Sequence, residues 1–501
     1  MAWWGRVVTG RRWLFADQLG PHHLDGTDQP VLLVESRAVL RRRRFHRQKA
    51  HLVLSALRHR AAELGDQAVF LRAETYGEAL ERHGDPVTVT QPTSYAADGF
   101  VRKHPLVAEV LPDRGYATSR EDFAAWVASR GRRRLLLEDF YRDTRRRHEV
   151  LMDGAEPAGG RWNLDADNRE PPPRAETLGV PEPWWPAEDD IDAEVRHDLD
   201  AWAADGDVTF VGDDGPRWAP ATRSEACRAL RHFVRHRLPH FGPHEDAMLA
   251  GDWTMAHSLL SPAMNLGLLH PLEIVRAADR AYRDGDVPLA SAEGFVRQVL
   301  GWREYVWSLY WHLGPAYRHR NVLGARRRVP AWWWDLDAGG TVEARCLSTV
   351  LAELRKRGWV HHIPRLMVLG NYGLQRGFSP AELTEWFHLS FVDGYDWVML
   401  ANVVGMSQWA DGGIMATKPY AAGGAYIDRM SDFCRPCRYD PRKRTGEDAC
   451  PYTAGYWAFL HRNAGHLAGN PRMRQPLAGL RRLSDVDEVV AQEQARGTAA
   501  P

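Results

Sequence analysis

Three of the five cysteines in this 501-residue chain, Cys434, Cys437 and Cys450, fall in one short segment with the spacing C-x2-C-x12-C. No other feature constrains the fold as strongly, because thiolates gathered this closely bind a soft metal and lock the chain around it. Zinc and an iron–sulfur cluster both suit the spacing. A disulfide is the weaker reading, since three is an odd number and the chain shows no secretory context. Three ligands leave a tetrahedral site short by one. Cys346, Cys227 and several histidines are candidates for the fourth, and Cys346 lies in a segment of helical periodicity. A distant thiolate commonly closes a local cysteine cluster in iron–sulfur proteins.

The length predicts two or three domains, and 44% apolar with 26% charged residues describes a soluble globular protein. No apolar run approaches the roughly 20 residues of a membrane span. The stretch Met1 to Arg12 lacks the apolar region of a signal peptide, so the cytoplasm is the expected compartment. Basic and acidic residues balance at 65 each, which excludes a protein that coats DNA through a strong basic excess. A local basic groove remains possible, with runs at Arg41 to Arg44, Arg132 to Arg134 and Arg326 to Arg328. The 21 tryptophans suit core packing, stacking on flat heterocycles, or electron transfer.

Residues 1–135 predict an α/β domain built on a doubly wound parallel sheet. Strands are expected at Trp13-Leu-Phe-Ala, Val31 to Ser36, Ala68 to Arg72 and Pro86 to Thr90, with a helix over 45–64. Ligands of such sheets bind beyond the carboxyl ends of the strands, where Asp17, Gln18 and Glu35 lie. No G-x-G-x-x-G follows the first strand, which argues against an ordinary nicotinamide domain. Residues 136–223 are expected to connect the domains, with 151–220 rich in Pro, Gly and acidic residues. Residues 224–501 predict a larger all-α domain with a frayed last dozen residues.

Four stretches of the helical half carry chemistry. Ser258 and Ser261 precede a proline that suits a first helical turn and an anion at its N-terminus. Trp302, Arg303 and Glu304 lie on a helix whose other face is apolar. His361 and His362 point about 100° apart on a helix, so one of them suffices to face a pocket and exchange protons. The segment from Trp386 to Gly413 mixes glycines, aromatics and acids, the composition of a wall that closes on a large planar ligand.

Together these segments bring a family into view. The chain resembles the photolyase/cryptochrome superfamily, and within it the iron–sulfur bacterial cryptochromes and photolyases, or prokaryotic (6-4) photolyases. The resemblance runs nearly end to end through Ala16-Asp-Gln-Leu, Leu137-Glu-Asp-Phe-Tyr-Arg, Gly160-Arg-Trp-Asn-Leu-Asp, His257-Ser-Leu-Leu-Ser-Pro, Gly301-Trp-Arg-Glu-Tyr-Val, His361-His-Ile-Pro-Arg-Leu-Met-Val, Gly405-Met-Ser-Gln, Ala410-Asp-Gly-Gly, Thr417-Lys-Pro-Tyr and the cysteine segment. It implies FAD in the helical domain, with His257, Ser258, Leu260, Ser261, Arg303, Arg365, Asp393, Met399 and Asn402 as its contacts. Arg365 and Asp393 would form the charge pair beside the flavin ring. Cys346 would join Cys434, Cys437 and Cys450 around a [4Fe-4S] cluster. His362, with His361 beside it, would move the proton in repair of (6-4) lesions in UV-damaged DNA, and Trp386 and Trp334 would relay electrons to the flavin. The α/β domain would hold 6,7-dimethyl-8-ribityllumazine as an antenna, for which Asp17, Gln18 and Glu35 are the expected contacts. The resemblance implies no obligate protein partner.

Two positions depart from the family pattern. Phe387 stands where tyrosine is frequent, and has no phenolic proton to lose. Met399 stands where glutamate is frequent near flavin N5, and its thioether carries no proton. Both departures favour a rival reading, a cryptochrome-type blue-light photoreceptor with the same cofactors and no repair. A zinc-bearing nucleic-acid-binding protein without flavin is the third reading.

Overall fold

The computed structural model describes residues 10–501; the N-terminal stretch read above for a signal peptide falls mostly outside them. Five parallel strands form one sheet in the order β3-β2-β1-β4-β5, with β1 Arg11–Leu14, β2 Val31–Ser36, β3 Ala68–Ala73, β4 Val87–Thr90 and β5 Val107–Leu111. Strand β2 is buried along its whole length, as a central strand covered on both faces must be, which is why it is a continuous apolar run. The expected helix forms over Arg47–Leu64 and stops at Gly65, whose φ of 50° lies in the left-handed region. Strand β5 was not anticipated. It is a half-exposed edge strand without the apolar run that marks a buried one.

The proline-rich stretch over 151–220 is not structureless. Asp189 and Asp192 form a capping box that starts a helix over Asp190–Ala204. Its Val195 and Leu199 pack with Leu54 and Phe45 of the α/β half. A core that includes Leu14, Leu33, Tyr141, Phe233, Ile274 and Leu300 runs continuously from the sheet into the helices.

Beyond residue 223 every regular element is helical. Three helices contain a wider π turn, over Arg297–Arg303, Pro364–Gly370 and Ala401–Ser407. Such turns carry one extra residue and re-aim side chains, frequently at functional sites; these three hold Arg303, Arg365 and Asn402. The chain end is ordered rather than frayed. A helix spans Val486–Arg496, and the Pro501 carbonyl accepts from the amides of Glu343 and Ala344 at 2.6 and 2.9 Å. Those amides precede the helix Arg345–Arg357 that carries Cys346, and unpaired donors at a helix start seek such acceptors. Among the described residues no helix is long and apolar enough to cross a membrane.

Candidate functional site

Arg365, aimed by its π turn, meets Asp393 in a two-pronged ion pair, with Nη1 and Nη2 donating to Oδ1 and Oδ2 at 2.9 and 3.0 Å. Ser261 Oγ donates to Oδ2 at 2.6 Å, and Asn265 Nδ2 donates to the Asp393 carbonyl at 2.9 Å. Ser261 therefore clamps the carboxylate rather than presenting a free hydroxyl at a helix start; its helix has only five residues. The Arg365 guanidinium lies 4.3 Å from the centre of the Phe391 ring, and its Nε donates to the Val360 carbonyl at 2.6 Å. Ser258 Oγ accepts from the Leu260 amide at 3.4 Å, and Leu260 is fully buried. Arg303 bonds Asn265 Oδ1 and the Met264 carbonyl, with its guanidinium 4.8 Å from the Trp397 ring centre. Asn402 Nδ2 donates to the Val398 carbonyl at 2.9 Å. Met399 is buried with Trp386, Phe387 and Phe391.

Beside the ion pair stand three histidines. The His257 and His361 rings stack at 4.3 Å, and His362 meets His257 edge-on at 5.4 Å. Burial, aided by neighbouring positive charge, holds His257 and His361 well below the usual imidazole range, so both are neutral. His362 alone reaches the surface, with 40% of its side chain exposed and Nε2 3.5 Å from Asp246 Oδ1. The adjacent pair thus divides into one buried ring and one open ring, as helical spacing requires.

Whether this pocket fits a flavin is tested by its own polar atoms. His257 Nε2, His361 Nδ1, Trp359 Nε1 and Arg303 Nε are buried with no protein partner. Buried polar groups are nearly always paired, so this group fits a ligand rich in donors and acceptors, as FAD is.

Trp386 is fully buried, and its Nε1 donates to the Trp333 carbonyl at 3.0 Å. The ring nearest it in the triple-tryptophan run is that of Trp333, 5.2 Å away. Trp334, the expected relay, is half-buried and packs against both the cluster that holds Trp386 and the one that holds Leu389. Neighbours on the helix Ala331–Trp334 point about 100° apart, so Trp333 meets Trp386 ring to ring and Trp334 faces another side. Sequence periodicity over four residues carries no signal that could have settled this.

All four predicted cysteine ligands line one small cavity, together with Gly424, Phe433, Tyr439 and Tyr452. Burial and the three neighbouring thiols push the Cys346 thiol up. A Cβ on Gly424 would lie 2.8 Å from Cys450 Sγ, so this wall admits only glycine. Two groups of described residues bring three metal-ligating atoms within 4.8 Å of one another, and neither contains a cysteine. Four thiols around one cavity fit a thiolate-held metal centre, an iron–sulfur core among them.

A second cavity, of about 830 Å³, opens beyond the carboxyl ends of β1 to β4, where doubly wound sheets hold ligands. Asp17 lines it, with Oδ1 buried and unpartnered, and burial pushes its carboxyl up to about 6. Gln18 and Glu35 do not line it. Gln18 Nε2 donates to the carbonyls of Thr90 and Gln91, both at 3.1 Å, and Glu35 is bound by Arg58 Nε and Nη2 at 2.8 and 2.9 Å. Both tie the fold together instead. Sequence reasoning missed Lys49 and Tyr395, which do line the cavity. The Lys49 ammonium is fully buried and donates to the carbonyls of His388, at 2.7 Å, and Gly394. In the sequence it is one more cation on an amphipathic helix.

A family model for deoxyribodipyrimidine photo-lyase-related proteins matches residues 12–207. Over 497 residues the chain is 39% identical to a (6-4) photolyase of Agrobacterium fabrum, covering 94% of this chain and 95% of that protein. An uncharacterized protein of Acanthamoeba polyphaga mimivirus is 29% identical over 107 residues, covering 21% of this chain. The crystal structure of a bacterial class III photolyase from Agrobacterium tumefaciens superposes with a TM-score of 0.54 at 17% identity, covering 99% of this chain and 98% of that one.

Proposed function

Because the chain belongs to the photolyase family, we propose that it repairs (6-4) pyrimidine–pyrimidone photoproducts in DNA under light. The observation that carries this reading is the Arg365–Asp393 pair, ringed by unpartnered buried polar atoms and opening toward His362. When bound there, FAD supplies light absorption and one-electron chemistry. The protein's part is to position and to move protons. Arg365 presents positive charge where a reduced ring gains negative charge, and Asp393 holds the guanidinium in plane. The damaged dinucleotide, already weakly paired, leaves the stack at a cost of a few kcal/mol and enters past the exposed His362. His362 gives and takes the proton through its exposed imidazole, beside the carboxylate of Asp246, whose Oδ1 is 3.5 Å from Nε2. Neutral His257 and His361 wall the site without adding charge.

Cys346, Cys434, Cys437 and Cys450 would hold a [4Fe-4S] cluster, which would tie the distant helix of Cys346 to the 434–450 segment and add a redox group. Asp17 and Lys49 would hold the lumazine antenna in the 830 Å³ cavity, a donor-and-acceptor pair suited to the edge of a flat heterocycle. The reading places the protein in the cytoplasm, without an obligate partner. A second reading, a cryptochrome-type photoreceptor without repair, is favoured by Phe387 and Met399, which take proton donors away from the relay and the flavin pocket.

The test is incubation of the purified chain with (6-4) lesion DNA under blue light. Recovery of intact thymines is expected. Bound, reducible FAD without recovery would leave the photoreceptor.

A further inference from the structure

The buried aromatic rings do not end at the two tryptophans expected to serve the flavin. From Trp386 the rings continue to Trp333 at 5.2 Å, to Tyr372 at 5.6 Å with planes 15° apart, and to Tyr452 at 5.7 Å. All four are fully buried. Tyr452 lines the cysteine cavity together with Cys346. At the other end, Trp386 is 6.1 Å from Phe391, whose ring lies under Arg365. Aromatic side chains therefore span the whole distance between the flavin pocket and the cysteine cavity. The row forks at Trp333. Its second branch leads to Trp332 at 5.5 Å, a half-buried ring near the chain end that also stands 6.2 Å from Tyr372.

We propose that Tyr372 and Tyr452 bridge Trp333 to the cysteine-held cluster, so that the cluster is an internal electron source for the flavin pocket. The inference rests on the cofactor reading above. Trp386 yields one electron to a photo-excited, oxidised isoalloxazine and is refilled by Trp333. Trp333 is refilled across the two tyrosines, which leaves the cluster one electron poorer until an external thiol restores it. One electron moves, no bond forms or breaks, and no proton leaves either phenol. The surroundings of the tyrosines enforce that last point. The Tyr452 hydroxyl donates to the Val368 carbonyl at 3.1 Å, which is no base, and the Tyr372 hydroxyl has no partner. The Arg376 guanidinium, 5.1 Å from the Tyr372 ring centre, further opposes a positive charge there. The tyrosines are thus bridges and not oxidised stops, and their rings matter while their hydroxyls do not.

The experiment uses the full chain with FAD and iron loaded and the flavin oxidised. Samples are illuminated, frozen and examined by electron paramagnetic resonance for a light-dependent change at the cluster, with the lifetime of the tryptophan radical followed by transient absorption. Wild type is expected to show the cluster signal. Tyr452→Phe and Tyr372→Phe should keep it. Tyr452→Leu and Tyr372→Leu, at unchanged iron content, should lose it and lengthen the radical lifetime by an order of magnitude. Trp332→Phe, which closes the other branch, should raise the signal. A loaded wild type that forms the tryptophan radical with no change at the cluster overturns the bridge and leaves the repair reading standing. Full signal in both leucine variants also overturns it. Protein that takes up neither iron nor FAD overturns the bridge together with the cofactor reading.

Discussion

Two buried arginine–carboxylate pairs in this protein have nearly the same geometry and opposite meaning. Arg58 grips Glu35 through Nε and Nη2 at 2.8 and 2.9 Å, and Arg365 grips Asp393 through two prongs at 2.9 and 3.0 Å. Around Glu35 the bonding is complete: Arg72 adds a third contact at 3.2 Å, and Arg58 reaches Glu194 and Asp198 as well. Around Asp393 it is not, since His257, His361 and Trp359 hold buried polar atoms without partners. A paired buried charge is weak evidence for a function. Unpaired atoms beside it are stronger evidence, because burial without a partner costs roughly 1–3 kcal/mol per group, and a ligand removes that cost.

The comparison breaks most visibly under truncation. Removing one partner of a buried pair costs about 3–5 kcal/mol. Asp393→Ala is expected to lose FAD outright, read by the flavin absorbance of purified protein. Glu35→Ala is expected to lower the thermal midpoint by a similar free energy and leave bound flavin unchanged. Equal flavin loss in both would erase the distinction. On the unsaturated side, His362→Ala should reduce repair by about 10²–10⁴-fold while FAD content holds, measured as thymine recovery per photon. Retained repair would move the proton chemistry elsewhere.

Lys49 is a third buried charge, paired with carbonyls alone. Burial lowers its ammonium to about 7, whereas the unfolded chain keeps that proton up to about 10. Between these values the unfolded state binds more protons, so stability rises with pH across the window. Lys49→Met should flatten that rise in denaturant titrations at pH 7 and 9.5. The smallest effect belongs to the rim of the saturated pair. Arg72 is 43% exposed, so Arg72→Ala should cost less than about 1 kcal/mol.

Legibility followed the range of the interactions. The strands β1 to β4 and the helix Arg47–Leu64 follow from local periodicity, and the edge strand β5 does not, because half-exposure erases the pattern. The helix Asp190–Ala204 was hidden by the prolines around it, although its capping box was written in Asp189 and Asp192. The three-cysteine segment was legible as a candidate metal site, and the structure gathers its cysteines with Cys346 around one cavity. Glu35 and Gln18 sat at the right strand ends but turned inward to Arg58 and to backbone carbonyls, a choice made by residues far away in the chain.

Residue type and spacing alone determined the α/β-then-α order, the three-cysteine segment and a histidine pair able to exchange protons, since each depends on near neighbours or on the element itself, while Cys346 as fourth ligand and the Arg365–Asp393 pair came from the family resemblance. Tertiary packing decided which of the adjacent rings faces which site: His362 rather than His361 at the surface, Trp333 rather than Trp334 beside Trp386. One residue along a helix turns a side chain by about 100°, and the contacts that reward one direction over another come from segments tens to hundreds of residues away.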